Sequence, residues 1–366
     1  MKRSSTKGAL DERLLLAYLA LLVIGLVMIY STSSILAEGR FGSHLLFLRQ
    51  QCLWALLSLA AIFLIGKLNL QRLAVYSVPA LGMSLVLLVL VFFCPARNEA
   101  HRWMLVGPFT GQPSEIFRFV LVFFLAFIFS NPRRDPTDLR QLVWPCLPPV
   151  GVGLLLILLE PDLGITIVIS VTVIGILYLT GARLRHLFGT ALPLAAMAAL
   201  VVFGLGYKKD RIMDYIAAIA DPLHGSYQSK QAALTLGAGG WFGVGLGDGH
   251  QKLFFLPYPH TDFIFAATGE EIGLVGLMVI LGLLFYLLRR GLKIAYAQPD
   301  KLGYLLAGGM TMSLFVNVAV NVGVVTSLLP VTGLPLPFIS YGGSSLLMSS
   351  AAVGVLLNLS RRMVTR

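Results

Sequence analysis

The chain has 366 residues, 57% of them hydrophobic and only 12% charged, with a mean hydropathy of +0.83. An ordinary soluble domain carries about 25% charge, so this composition excludes that class and describes a chain whose solvent is largely lipid. The net charge of +11 would suit an anionic partner, nucleic acid included, unless its distribution along the chain has another origin.

In lipid every backbone polar group must be paired internally, so apolar runs of roughly 20 residues are helices. The alternating pattern of a transmembrane barrel is absent. The pattern predicts an all-α integral membrane protein with ten spans, at about 14–36, 51–68, 73–94, 114–130, 142–159, 164–181, 187–207, 262–288, 303–328 and 343–360. The first run is too long for a signal-peptide core and reads as a retained span. Connections on one side hold 18 of the 28 basic residues against five acids, while the remainder holds ten bases and twelve acids. The positive-inside rule places that side, and both termini, in the cytoplasm. The basic excess therefore reports topology and anionic headgroups, and nucleic acid is not expected as a partner. Cys52, Cys94 and Cys146 sit in or beside apolar runs at unrelated spacings and form neither a disulfide framework nor a metal site.

Two external connections stand out. In the first, residues 95–113, Arg102 can offer a planar two-donor fork to a pyrophosphate, and Trp103 is either an interfacial belt residue or part of the same surface. Glu115 and Arg118 follow at the start of span four, three apart and on one face. They form either a simple intrahelical pair or an extension of a polar cavity shared with Arg102 and Trp103. The second connection, residues 208–261 between spans seven and eight, is the longest and for that reason a functional candidate. It contains an amphipathic stretch from Ile212 to Ile219 and glycines at 237, 239, 240, 243, 245, 247 and 249. No strand precedes those glycines, so they are not a nucleotide loop, and they read as a tightly turning external loop.

Asp262 opens span eight after His260 and Thr261. It is either a helix N-cap or a carboxylate at the membrane edge, able to act as a base or to hold a divalent cation. Glu270 and Glu271 lie roughly 12 Å deeper at 1.5 Å per residue, where ionisable groups face protein or a hydrated cavity. The last external connection, 329–345, is uncharged and carries Pro330, Pro335 and Pro337. Such non-helical backbone near lipid must be buried or line a cavity.

Taken in order, Gln112-Pro-Ser-Glu115, Glu160-Pro-Asp-Leu-Gly164, the glycine run from Gly237 to Lys252, the HTDFIFA run from His260, Gly269-Glu-Glu-Ile-Gly273 and LPFISYGGSS from Leu336 resemble the SEDS family (shape, elongation, division and sporulation). The resemblance spans nearly the whole chain, which would form one SEDS-type membrane domain. Pro330-Val-Thr-Gly-Leu-Pro335 is most similar to the RodA-type, elongation branch. The chain departs from the family pattern at Tyr258, where a glutamate is usual, and at Arg118, where a lysine is usual.

The resemblance implies a glycosyltransferase of the bacterial plasma (inner) membrane that polymerises lipid II on the outer face and releases undecaprenyl pyrophosphate. It implies Asp262 as the catalytic residue and as the candidate ligand of a divalent cation, Mg or Mn. Arg102, Trp103, Glu115, Arg118, Lys252, His260, Thr261 and Ser344 are the expected substrate-binding residues. The expected partners are lipid II, the glycan-linked undecaprenyl pyrophosphate and a class B penicillin-binding protein. The competing readings are a lipid II flippase and a non-catalytic scaffold for the penicillin-binding protein.

Overall fold

A computed structural model of the chain describes residues 10–95, 101–106, 109–204, 206, 209–220, 225–251 and 255–363. The first helix, α1 (Glu12–Phe41), starts where the Asp11 carboxylate accepts the Leu14 N–H and stops at left-handed Gly42. It is followed by α2 (Leu46–Lys67) and by α3 (Leu70–Leu90), which Asn69 caps and a 3-10 turn, Val91–Phe93, extends. After α4 (Pro113–Ser130), Pro145 separates the short α5 (Leu139–Val143) from α6 (Leu147–Leu159). Next come α7 (Leu163–Leu179) and α8 (Leu184–Ala199), the latter relaxing into a π turn at Leu200–Gly204. The amphipathic α9 (Lys209–Ala220) and α10 (Tyr227–Ala238) lead to α11 (Ile264–Tyr296), α12 (Lys301–Val325) and α13 (Gly343–Ser360).

Eight of these helices are long and apolar enough to cross a membrane: α1, α2, α3, α4, α8, α11, α12 and α13. Predicted spans five and six correspond to the shorter apolar helices α6 and α7, of 13 and 17 residues. At 1.5 Å per residue they reach about 20 and 26 Å, less than a hydrocarbon core of about 30 Å. Helices α12 and α13 form the buried centre, while α2, α3 and α8 present large apolar side chains such as Phe63, Met83 and Phe188 outward. A surface so apolar has lipid for its solvent, and the chain is a multi-pass membrane protein.

The expectation of a purely helical chain needs one correction. Strand β1 (Met104–Val106) pairs antiparallel with β2 (Phe109–Gly111), Met104 opposite Gly111, in the connection before α4. Val106, Phe109 and Thr110 are residue types that favour extended backbone.

The glycine-rich segment is not a free external loop. Inside α11, Gly273 adopts φ 69°, ψ −175° and interrupts the helix. The interruption releases the Glu270 and Glu271 carbonyls and the Leu274 and Val275 amides, and the glycine segment takes up all four. Val244 N–H donates to Glu270 O at 2.9 Å and Gly245 N–H to Glu271 O at 3.1 Å, while Leu274 N–H donates to Gly240 O at 2.9 Å and Val275 N–H to Trp241 O at 3.1 Å. The carboxylates continue the same pairing. Glu270 accepts the His250 and Gln251 amides, and Glu271 accepts the Gly247 amide and the Ser31 hydroxyl of α1. Both glutamates hold backbone in place within a span.

Such close backbone approach demands glycine. A Cβ on Gly243 would lie 2.2 Å from Glu271 O, and one on Gly273 would lie 2.3 Å from Gly243 N. The Gly243→Ala variant is therefore expected to lose about 2–4 kcal/mol of stability, seen as a lower melting temperature in detergent. Gly237→Ala, in open space on α10, should be neutral or gain up to about 1 kcal/mol.

Candidate active site

The two ends of the bundle differ in chemistry. At one, Arg290 donates to the Asp11 carboxylate at 2.5 Å and Asp11 N–H donates to the Ser360 hydroxyl. This is the end that the basic connections share. Asp262 lies at the other end, 28 positions before Arg290 and roughly 40 Å away along α11.

Asp262 does not cap that helix. Phe263 occupies the N-cap position and makes no side-chain bond, and among the described residues the Asp262 carboxylate oxygens have no hydrogen-bond donor. The residue is held through its backbone instead. Asn321 of α12 donates from Nδ2 to both Asp262 O and Leu334 O, at 3.0 and 2.6 Å. The Ser340 hydroxyl donates to Thr261 O at 2.7 Å and accepts from Leu336 N–H, and Tyr341 N–H donates to His260 O. Gln51 of α2 donates to Ser340 O and accepts from Gly342 N–H. The uncharged proline segment is thus buried, its backbone paired by side chains of α2 and α12, and it fixes the residues that precede α11.

Half-buried Asp262 has its carboxyl pushed up to about 6, first by burial and then by the charge of Asp162, with Arg102 and Arg211 pulling the other way. Asp162 is the organising residue of that surface. One carboxylate oxygen accepts the Ile165 N–H and caps α7, and the other accepts Gln112 Nε2 at 2.9 Å. Arg102 Nη1 stands 3.7 Å away, and the Arg102 guanidinium also donates to the carbonyls of Glu160 and Pro161. Fully buried Glu160 has both carboxyl oxygens unpartnered among the described residues. Burial, then Asp162, push it up to about 9 against the pull of Arg102, so it is a neutral acid at physiological pH.

The other expected residues fall in different places. Glu115 and Arg118 form a 2.6 Å ion pair that is almost completely buried, with Arg118 Nη1 unpartnered among the described residues. This geometry matches the intrahelical alternative. His260 is packed between Phe47 and Tyr341, with ring centroids at 4.7 and 5.7 Å, and burial followed by the Arg40 charge pushes it down to about 4. It is neutral, and its ring serves packing rather than charge. Thr261 supplies its carbonyl to Ser340 and donates its hydroxyl to Tyr258 O at 3.3 Å. Trp103 is half-buried just before β1. Ser344 is buried in the first turn of α13, its hydroxyl unpartnered among the described residues. Lys252 lies outside the described residues.

Asp162, Arg211 and Asn321 were not singled out from the sequence. For Asp162 a signal existed, an aspartate directly before an apolar helix; Arg211 and Asn321 reach the site only through folding.

These features define a class: a multi-pass membrane protein with one half-buried acid, flanked by arginines, at the end of the bundle opposite its basic connections. The Cell cycle protein family, whose profile covers FtsW, RodA and SpoVE, matches residues 12–364. The chain belongs to that family. It is 39% identical to Stage V sporulation protein E of Bacillus subtilis, across 98% of this chain and 99% of that one. It is 37% identical to a Geobacter metallireducens protein named Probable peptidoglycan glycosyltransferase FtsW, across 96% and 95%. Among solved structures, the fold is similar to a chain in work on structural coordination of polymerization and crosslinking by a peptidoglycan synthase complex, with a TM-score of 0.80 at 31% identity over 96% and 98% of the two chains. It is also similar to the rod shape determining protein RodA of Thermus thermophilus, with a TM-score of 0.70 at 29% identity over 98% and 99%.

Asp162→Asn separates charge from capping, because asparagine caps a helix as well as aspartate does. The asparagine amide nitrogen can no longer accept from Gln112 or pair with Arg102, so the melting temperature should fall modestly, while the Asp262 titration moves below about 6, followed by carboxyl-carbon NMR with Asp262→Asn as the assignment control. An unchanged titration would dismiss the electrostatic coupling.

Proposed function

We propose that the chain is a peptidoglycan glycosyltransferase that polymerises lipid II on the outer face of a bacterial plasma (inner) membrane, with Asp262 as its general base. The observation that carries this reading is a half-buried carboxylate, free of hydrogen-bond donors among the described residues and poised near 6, at the end of the bundle opposite the basic connections. The names of the curated relatives support it. A ten-span topology with cytoplasmic termini places that end outside, where lipid headgroups meet water.

The reaction asks for one base. A sugar hydroxyl of the incoming precursor attacks the anomeric carbon of the growing glycan, whose bond to the pyrophosphate oxygen breaks. Asp262 takes the hydroxyl proton, a new glycosidic bond forms, and undecaprenyl pyrophosphate departs. A glycosidase needs a second carboxyl group to protonate its leaving oxygen, whereas a pyrophosphate leaves as a stabilised anion and needs positive charge. Arg102 and Arg211 are the cations whose fields reach Asp262 and can stabilise it.

A divalent cation would add Lewis-acid stabilisation of the same leaving group. Among the described residues no three His, Cys, Asp or Glu side chains converge, so a cage of protein ligands is not present. The donor set fits the other habit of Mg²⁺, one or two carboxylates completed by substrate phosphate oxygens and water. Asp262 would be the protein ligand.

The peptidoglycan synthase complex among the similar structures supports a partner that crosslinks what this chain polymerises, and a class B penicillin-binding protein fits that role. The elongation role rests on Pro330-Val-Thr-Gly-Leu-Pro335, and complementation of elongation-deficient against division-deficient cells tests it.

The Asp262→Ala variant should reach the membrane and fold but lose at least about 100-fold in polymerisation of purified lipid II, the scale of general-base catalysis. Polymer made at the normal rate would reject the mechanism. Because protonation removes the base, wild-type kcat/KM should rise with pH through about 6 and level off above it. Activity in detergent, where no two compartments exist, would also separate polymerase from flippase. EDTA should suppress the reaction and Mg²⁺ or Mn²⁺ restore it; full activity after rigorous chelation would remove the cation.

A further inference from the structure

At the end of the bundle away from Asp262, two stretches of chain bring arginines to one face. The connection between α4 and α5 carries Arg133 and Arg134, α5 carries Arg140, and the start of α8 carries Arg183 and Arg185. These stretches are tied together. Arg134 Nη1 donates to Gln141 O at 3.5 Å, and Gln141 Oε1 accepts the Asp135 N–H at 3.0 Å. The Asp135 carboxyl is held below its usual range, first by hydrogen bonds from Thr137 and then by the charge of Arg183. Both aspartates of this face are already engaged. Asp135 accepts the Thr137 N–H at 2.8 Å, and Asp138 accepts the Arg140 N–H and Gln141 Nε2, each at 3.0 Å. Among the described residues no carboxylate is in ion-pair contact with any of the five arginines. The face keeps an excess of positive charge.

That charge is focused on the first turn of α8. Arg183 holds the N-cap position and makes no side-chain bond to the helix, so the positive end of the helix dipole is open to an anion from outside. Arg183 and Arg185 are exposed beside it. Arg185 spends only Nε within the chain, on His186 Nε2 at 3.3 Å, which leaves its two Nη groups for another acceptor. With Nε2 accepting, the His186 proton is on Nδ1, a buried donor unpartnered among the described residues. From the same turn Leu184, Phe188 and Leu192 run down one face of α8 at four-residue spacing, 64%, 74% and 72% exposed. Exposed Trp144, directly after α5, adds the amphipathic ring favoured at headgroup level. A small soluble anion would use the charge alone, whereas a diacyl lipid uses the charge and the apolar stripe that continues from it.

We propose that the first turn of α8, together with the arginines of the α4–α5 connection, is a binding site for an anionic phospholipid of the cytoplasmic leaflet. The guanidinium forks of Arg183 and Arg185 grip the phosphate, and the acyl chains cover Leu184, Phe188 and Leu192. The site stands at the membrane face opposite Asp262, and its occupancy is independent of the reaction proposed there.

The test uses full-length protein, delipidated in detergent and offered phosphatidylglycerol and phosphatidylcholine of equal chain length, with bound lipid read by native mass spectrometry. Each basic residue near a membrane surface contributes about fivefold to the binding of anionic lipid. Wild type should therefore retain phosphatidylglycerol over phosphatidylcholine by about tenfold or more and melt at a higher temperature in its presence. Arg183→Gln combined with Arg185→Gln should abolish most of that preference. Leu184→Ala combined with Phe188→Ala should weaken retention of both lipids and keep the headgroup preference. A charge-matched control, Arg289→Gln with Lys293→Gln on the exposed basic end of α11, should behave as wild type. An equal loss in that control would reduce the effect to the general basic surface, and an unchanged preference without Arg183 and Arg185 would remove the site; either result overturns the proposal. Inorganic phosphate and soluble glycerophosphoglycerol should neither raise the melting temperature nor displace the lipid at equal concentration. If they match the lipid, the site takes a free anion and the lipid assignment falls. Should the double arginine variant fail to fold, Arg185→Gln alone decides the matter by the same readouts.

Discussion

A helix broken inside a membrane leaves backbone donors and acceptors that lipid cannot satisfy, each at a cost of several kcal/mol. The break at Gly273 in α11 is of this kind, and the structure answers it by laying residues 240–251 into the gap. The four released backbone groups and both adjacent glutamates are then paired with that segment. The direction of the helical turns that follow Asp262 is set by this insertion. Ser31 ties the same point to α1 through Glu271, so the orientation of the end that carries Asp262 is shared by three distant stretches of chain.

Above the break, the site is assembled by backbone recognition and its electrostatics follow from what is left unpaired. Asn321, Ser340 and Gln51 hold the peptide groups around Asp262 and the proline segment, and among the described residues none donates to the Asp262 side chain. Nearby, Asp162 is committed three times over, to the α7 cap, to Gln112 and to Arg102. Its fixed charge raises Asp262, and Arg102 is anchored on two carbonyls. A neutral Glu160 beneath adds no further negative charge. Of the carboxylates in these surroundings Asp262 alone is neither engaged by a donor among the described residues nor held far above the usual carboxylate range.

Several parts of this picture were legible in the sequence because they depend on local composition. The length of the apolar runs, the clustering of arginines on one side and the prolines around 329–345 report on single segments, and each emerged as a helix, a basic end or a buried irregular stretch. Asp262 stood out by its position at a helix entrance after a long connection. Other residues carried two readings that local pattern could not separate. Glu115 with Arg118 became a sealed ion pair, and His260 became a packing ring. The glycine run read as a tightly turning external loop because glycine spacing alone does not say what approaches it. Gly239 and Gly243 needed Gly269 and Gly273, some 30 positions on, before their purpose was visible.

The chain by itself determined that it lives in lipid and that its basic residues gather in particular connections, since hydropathy and charge are properties of residues near one another in sequence. Tertiary structure alone decided that Asp262 is no helix cap and that Asp162 and Arg211 act on it. Those facts depend on contacts between positions some 50 to 100 residues apart, whose energies arise only once burial has brought the groups together and removed the water between them.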